Sequence, residues 1–268
     1  MNPLQCAVEI AREAGAIILA HVGTPLGIVE KAQRADIVTR ADRASETLIV
    51  ERLRAAFPQA TILGEEGGLT VGTSDERWIV DPLDGTTNFA HDYPLYCVSI
   101  GYERAGELVA AAIYAPALDE LYAAERGAGA TCNGKRIAVS GIARIGDALV
   151  CTGFKPAHYD RNGAHFAALS RIAQGVRRGG SAALDLAFVA AGRLDAFWEF
   201  DLFAWDIAAG ALLVREAGGR VSAIEGGAFS VDVGSTLATN AVIHDEMLEA
   251  LALAAAESSS SAIGSSVK

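Results

Sequence analysis

Trp78-Ile79-Val80-Asp81-Pro82-Leu83-Asp84-Gly85-Thr86-Thr87-Asn88-Phe89 is the stretch on which the reading of this chain turns. Residues 78–80 read as a short β run. Pro82 then fixes φ and Gly85 admits a backbone conformation that other residues resist, so a sharp turn is expected directly after the strand. Such a turn can converge Asp81 and Asp84 on one point and leave the Leu83 carbonyl and the Gly85 and Thr86 amides facing a ligand. Carboxylates joined by a carbonyl suit a hard divalent cation such as Mg²⁺, which takes oxygen ligands and retains water. Free amides beside them suit a phosphate.

Two more acidic signals lie near strand ends. Gly64-Glu65-Glu66 follows the β run at residues 61–63, and Trp205-Asp206 comes a few residues past a strand at 197–199 and opens a helix. Each has a plainer explanation when taken singly. Asp-Pro-Leu-Asp-Gly is an ordinary turn, Glu65-Glu66 a solvated loop, and Asp206 a helix N-cap favoured by the dipole. Residue types and spacing alone leave a metal site and a set of turns and caps both open.

Working outward, helical periodicity predicts helices at residues 7–21 and 42–57, the second stopped by Pro58. Short β runs follow at 96–102, 108–114 and 121–124, with Asn133-Gly134 as a hairpin turn. The first part therefore reads as two helices and a largely antiparallel meander, an α+β pattern. From Asp147 strands and helices alternate in α/β fashion: a strand at 149–152, helices at 165–174 and 181–191, the strand at 197–199, a helix at 206–217, strands at 220–223 and 236–239, and a last helix at 245–257. The expected organisation is an α+β part over 1–146 carrying most of the acidic residues, an α/β part over 147–257 completing the site, and one continuous core. Residues 258–268 are serine-rich and are expected to be a disordered tail.

At 268 residues, 51% hydrophobic and 21% charged, the chain has the profile of an ordered globular protein. A formal charge of −11 argues against nucleic acid or an anionic membrane as partner, because the long-range field repels phosphate backbones. Local cations can still reverse that field at one site. Cys6, Cys97, Cys132 and Cys151 are scattered without metal-ligand spacing and read as buried and reduced, which suits a cytoplasmic location. No apolar run is long enough to span a membrane.

The string 78–89 resembles the first signature of the inositol monophosphatase family, and Trp205-Asp206-Ile207-Ala208-Ala209-Gly210 with Glu216-Ala217-Gly218-Gly219 resembles its second. Asp36-Ile37-Val38-Thr39-Arg40-Ala41-Asp42, Gly64-Glu65-Glu66 and Gly180-Ser181-Ala182-Ala183-Leu184-Asp185-Leu186 fall in the family's order, so the resemblance spans residues 7–251. It implies a layered αβαβα sandwich, a homodimer, and Mg²⁺-dependent hydrolysis of a small sugar or polyol phosphate, often lithium-sensitive. On that resemblance Glu65, Asp81 and the Leu83 carbonyl hold one Mg²⁺, Asp81, Asp84 and Asp206 a second, and Glu65 assists a third through water. Asp42 and Thr86 position the attacking water, with Glu65 also counted among the catalytic residues. The Gly85 and Thr86 amides bind the phosphate, with Asp84 and Asp206 beside it, and the Ala182 amide and Glu199 contact substrate hydroxyls. Lys31 resembles a residue of the family's catalytic loop, although Ala32-Gln33-Arg34 departs from the usual loop sequence.

The superfamily also implies alternatives: fructose 1,6-bisphosphate, histidinol phosphate, NADP and 3′-phosphoadenosine nucleotides as substrates, or a regulatory binding protein on the same scaffold. Glu199 and Gly180-Ser181-Ala182 favour a polyol pocket, while Asp201 stands where many relatives carry glycine. The remaining polar residues read as structural. Asp185 and Asp195 are expected in dipole or surface roles, the five histidines form no paired pattern, Phe197 and Trp198 are expected in the core, and Arg177 and Arg178 at the substrate or at a subunit contact.

Overall fold

The computed structural model describes residues 2–31, 37–154 and 159–265. Its helices are α1 (Pro3–His21), α2 (Arg40–Ala56), α3 (Thr86–Ala90), α4 (Tyr159–Ile172), α5 (Ala182–Ala190), α6 (Ala204–Glu216) and α7 (His244–Ser265). Its strands are β1 (Val29–Glu30), β2 (Ile37–Val38), β3 (Thr61–Gly64), β4 (Gly68–Thr70), β5 (Glu76–Asp84), β6 (Cys97–Arg104), β7 (Glu107–Ala115), β8 (Glu120–Glu125), β9 (Gly129–Cys132), β10 (Lys135–Arg136), β11 (Leu149–Thr152), β12 (Gly175–Arg177), β13 (Ala196–Glu199), β14 (Arg220–Ser222) and β15 (Thr236–Thr239).

Local chemistry accounts for several of these. The Asn2 side chain accepts from the Gln5 amide at 3.2 Å and Pro3 follows it, which starts α1. Cys6, Ala7, Ile10, Ala14 and Ile18 then form one buried stripe. Thr39 caps α2 in a reciprocal box, with Asp42 accepting from the Thr39 amide at 2.9 Å. Asn133 (φ 48°) and Gly134 (φ 76°) both adopt left-handed backbone between β9 and β10, the conformation that a tight Asn-Gly hairpin needs.

β10-β9-β8-β7-β6-β5-β3-β4 form an eight-stranded sheet, antiparallel except for the parallel β3–β5 pair. The second sheet runs β12-β11-β13-β15-β14, with β11 parallel to both neighbours. Helices α1 and α2 cover the outer face of the larger sheet through a cluster containing Ile10, Ile49, Leu53 and Trp78. Helices α5 and α6 lie between the sheets in a cluster that joins Ile79 and Ile113 to Phe197 and Ala238. On the far face of the smaller sheet, Leu169, Met247 and Leu251 pack on Val150 and Trp198. The order of layers is therefore α, β, α, β, α, the expected sandwich.

Three local expectations change. β5 does not stop at Val80 but continues through Pro82 to Asp84, and its pairing with β6 slips between Asp81 and Asp84. Pro82 has no N–H for the ladder, so the strand bulges there and the Pro82 carbonyl accepts from Ser45 Oγ at 2.8 Å instead. The reversal comes at Gly85, with φ 90°. Asp206 is not the N-cap of α6 but its third residue, since the helix begins at Ala204 after Phe203. Finally, where a disordered tail from Ser258 was expected, α7 continues to Ser265 and only residues 266–268 lie outside the described chain at that end. The alanine-rich run before it propagates the helix, and neither Gly nor Pro interrupts before Gly264.

Candidate active site

The site sits where the two sheets face each other across α5 and α6. The β5 bulge presents Asp81, Leu83 and Asp84, the loop after β3 presents Glu65, and the first turn of α6 presents Asp206. Oxygens of Asp81, Asp84 and Asp206 lie within 4.8 Å of one another. Each carboxylate is anchored through one oxygen. Asp81 Oδ1 accepts from the Leu83 amide at 3.0 Å, and Asp206 Oδ2 from the Phe203 amide at 2.7 Å. Asp84 Oδ2 accepts from Ser181 Oγ at 2.6 Å and from the Ala183 amide at 2.8 Å. Ser181 therefore serves Asp84 across the molecule and makes no side-chain cap on its own helix α5.

Packing these acids together is costly. Burial first, then Glu65, Asp84 and Asp206, push the Asp81 carboxyl well above its ordinary range. Burial raises Asp84 to about 6 against the lowering effect of its Ser181 and Ala183 donors. Lys31 Nζ approaches from the loop after β1, 2.9 Å from Glu65 Oε1 and in direct contact with Glu66 Oε1. Ala32-Gln33-Arg34 and Asp36 lie outside the described residues. A buried to half-buried, all-oxygen set of mutually repelling carboxylates is the donor chemistry of a hard divalent cation, so the residues present fit such an ion.

Beside the cluster, Thr86 Oγ1 lies 3.0 Å from Asp42 Oδ1 and 3.1 Å from the Leu83 carbonyl, with one proton to share between them. Asp42 is fully buried behind it. Burial raises its pKa, opposed by hydrogen bonds from Thr39 and Thr86. Gly85 has no room for a side chain, because a Cβ there would lie 2.9 Å from the Leu95 carbonyl oxygen.

A cavity of about 380 Å³ opens over these groups, and Glu65, Asp81, Leu83, Asp84, Gly85, Thr86, Ala182, Glu199 and Asp206 all line it. Glu199 enters from the end of β13, its carboxyl pushed well up by burial and then by Asp206, Asp185 and Asp84. A Cβ at Gly153 would fall 2.2 Å from Glu199 Oε2, so the close approach requires glycine. Asp201, the departure from the usual glycine, takes a left-handed φ of 60°.

Sequence reasoning misplaced some residues. Asp185 is not on the surface: it is 3% exposed, lines the cavity, and has its carboxyl raised to about 7 mainly by burial. A single acid in a helix otherwise composed of Ala, Leu, Phe and Val was the signal available for it. Asp195 is also buried, accepting from Ser140 Oγ at 2.5 Å and the Leu149 amide at 2.6 Å as a structural tie. Arg178 lines the cavity and donates to the Phe154 carbonyl at 2.9 Å. His244 is a buried connector between Thr239 and Ser222, and Phe197 and Trp198 are fully buried as expected. All four cysteines are free thiols, three buried and Cys132 half-buried.

Among the described residues no helix is long and apolar enough to cross a membrane. Known proteins resemble this chain in both sequence and architecture. An inositol-1-monophosphatase of Mesorhizobium japonicum is 46% identical over 253 residues, 92% of this chain and 95% of the relative. A protein of Pseudomonas aeruginosa named Nus factor SuhB is 44% identical over 251 residues, 90% and 92% of the two chains. The solved Thermotoga maritima IMPase superposes with a TM-score of 0.90 at 36% identity, covering 96% of this chain and 100% of that one. Residues 2–260 match the model of the inositol monophosphatase family. With the carboxylate cluster, the layered fold and these likenesses in agreement, the chain belongs to the inositol monophosphatase family, a family of metal-dependent phosphatases acting on small phosphorylated substrates.

Proposed function

We propose that this protein is a Mg²⁺-dependent phosphomonoesterase acting on myo-inositol 1-phosphate or a related polyol or sugar phosphate. The observation that carries the reading is the convergence of Asp81, Asp84 and Asp206 beside the Gly85 turn. Glu65, Asp81 and the Leu83 carbonyl would hold one Mg²⁺, and Asp81, Asp84 and Asp206 a second, with Glu65 reaching a third through water. When bound, the ions supply Lewis acidity toward the phosphate and lower the pKa of water.

The chain's own groups do the rest. The Thr86 hydroxyl directs its proton to Asp42 Oδ1, which leaves a lone pair on Oγ1 to take a proton from the attacking water. Burial makes Asp42 a stronger base than an exposed carboxylate, as that role needs. The Gly85 and Thr86 amides hold the phosphate, and the Ala182 amide and Glu199 orient the hydroxyls of the leaving alcohol. A homodimer in the cytoplasm is the assembly and location that go with this reading.

The test is phosphate release by purified protein with Mg²⁺ across myo-inositol 1-phosphate, fructose 1,6-bisphosphate, histidinol phosphate, NADP and 3′-phosphoadenosine 5′-phosphate. Hydrolysis of the inositol ester, inhibited by Li⁺, is expected. No release from any ester with any divalent ion would sink the reading. A purely non-catalytic role, which the Nus factor name of one relative brings into view, would leave the carboxylates dispensable, yet the set is complete here.

A further inference from the structure

Phe203 and Trp205 stack on each other at the edge of the cavity, ring centroids 4.8 Å apart and planes 19° from parallel. Both line it, and Phe203 is 49% exposed. A large aromatic ring held open to solvent gains nothing from the core, and here it stands in a pocket whose lining includes six carboxylates. The pair is also fixed relative to the reacting centre. Phe203 is the N-cap of α6, Trp205 lies in its first turn, and the Phe203 amide donates to Asp206, the carboxylate that joins the acidic cluster. One turn of helix therefore sets the distance from the rings to the phosphate position. Leu202 continues the apolar wall, and Glu199 faces the same space.

A leaving alcohol that fills this space needs two kinds of surface: hydroxyls for Glu199, and a flat apolar patch for the rings. A cyclic polyol offers both, because the C–H bonds of one ring face form a flat patch while its hydroxyls project at the edge. An acyclic polyol has no such face. We infer that Phe203 and Trp205 form a stacking platform that selects phosphate esters of ring alcohols over acyclic ones. This rests on the phosphatase reading and names the specificity of that same site.

The test is steady-state kinetics of the full chain with Mg²⁺ on myo-inositol 1-phosphate and glycerol 2-phosphate, for wild type, Phe203→Ala and Phe203→Tyr. Losing one stacking partner should lower the ring-to-acyclic ratio of kcat/KM by about three- to tenfold, mostly through KM for the ring ester. Phe203→Tyr, which keeps the ring, should retain the wild-type ratio. An unchanged ratio in Phe203→Ala, or a tyrosine variant as impaired as the alanine one, overturns the platform while leaving the phosphatase reading standing. If wild type hydrolyses neither ester, the platform is judged by binding alone and the phosphatase reading by the wider panel of esters. Trp78 and Trp198 are fully buried, so Trp205 dominates any ligand-induced change in tryptophan emission. A saturable change with the inositol ester, absent with glycerol 2-phosphate and weakened in Phe203→Ala, supports the platform; equal responses to both esters refute it.

Discussion

Ser181→Ala is the substitution whose effect follows most directly from the geometry. Ser181 Oγ and the Ala183 amide both donate to Asp84 Oδ2, at 2.6 and 2.8 Å, and hold down a carboxyl that burial lifts to about 6. A hydrogen bond to a charged group is worth roughly 1.5–3 kcal/mol and one pKa unit about 1.4 kcal/mol, so deleting the serine donor moves Asp84 to roughly 7–8. At pH 7 the ionised fraction then falls from about nine-tenths to between about a half and a tenth. Mg²⁺ takes the carboxylate and not the acid, so its affinity should weaken by about two- to tenfold at pH 7 and approach wild type at pH 9. Calorimetric titration of Mg²⁺ into substrate-free protein from pH 6 to 9 reads this directly, with Ser181→Thr as the variant that keeps the hydroxyl. Equal affinities at pH 7, or a deficit undiminished at pH 9, would refute the claim that Ser181 acts through the ionisation of Asp84.

Gly85→Ala and Gly218→Ala both place alanine at φ 90°, but only the first meets neighbours, the Leu95 carbonyl oxygen at 2.9 Å. Urea denaturation should show a loss of about 1–2 kcal/mol for Gly218→Ala and a larger one for Gly85→Ala; equal losses would contradict the close approach. Asp185 titrates near 7 when folded against 3.8 in an exposed chain, so its folded pKa is raised and its contribution to stability is lost as pH rises from about 4 to 7. Asp185→Asn should therefore gain thermal stability over metal-free wild type at pH 8 and lose that advantage near pH 4, and a difference independent of pH would count against the buried carboxyl. Asp81→Asn should abolish turnover and weaken Mg²⁺ binding, because Asp81 is the carboxylate assigned to both ions; wild-type turnover in that variant would remove it from the ligand set.

The acidic cluster could be read early because strand ends concentrate loop side chains, and Asp81-Pro82-Leu83-Asp84-Gly85 carries its turn chemistry in adjacent residues. Period-two and helical patterns marked the individual elements and an α+β part followed by an α/β part, whereas the layered sandwich was implied only by the family resemblance. What stayed hidden depends on partners distant in the chain. Ser181 looks like the start of a helix until it is seen to donate to Asp84, 97 positions away. Asp185 looks like a dipole-compensating acid until α5 is found enclosed on all sides, which no local pattern in nine residues can reveal. Pro82 reads as a turn because proline commonly makes one, whereas the ladder with β6 carries it as a bulge.

The middle layer has a consequence for how the molecule opens. Helices α5 and α6 touch so closely that a Cβ on Gly210 would lie 2.5 Å from that of Leu186, and α6 meets Gly101 of the larger sheet as nearly, with Ala208 Cβ 3.0 Å from a Cβ there. With a sheet against each side, these helices have little surface from which to fray. Their amide protons should exchange with solvent deuterium only when the two sheets part, in the slowest class of the protein, while those of α7 and the short β1–β2 pair exchange through local opening. Asp206, carried on α6, and Asp84, held by the Ala183 amide of α5, are thereby fixed by the part of the molecule that opens last.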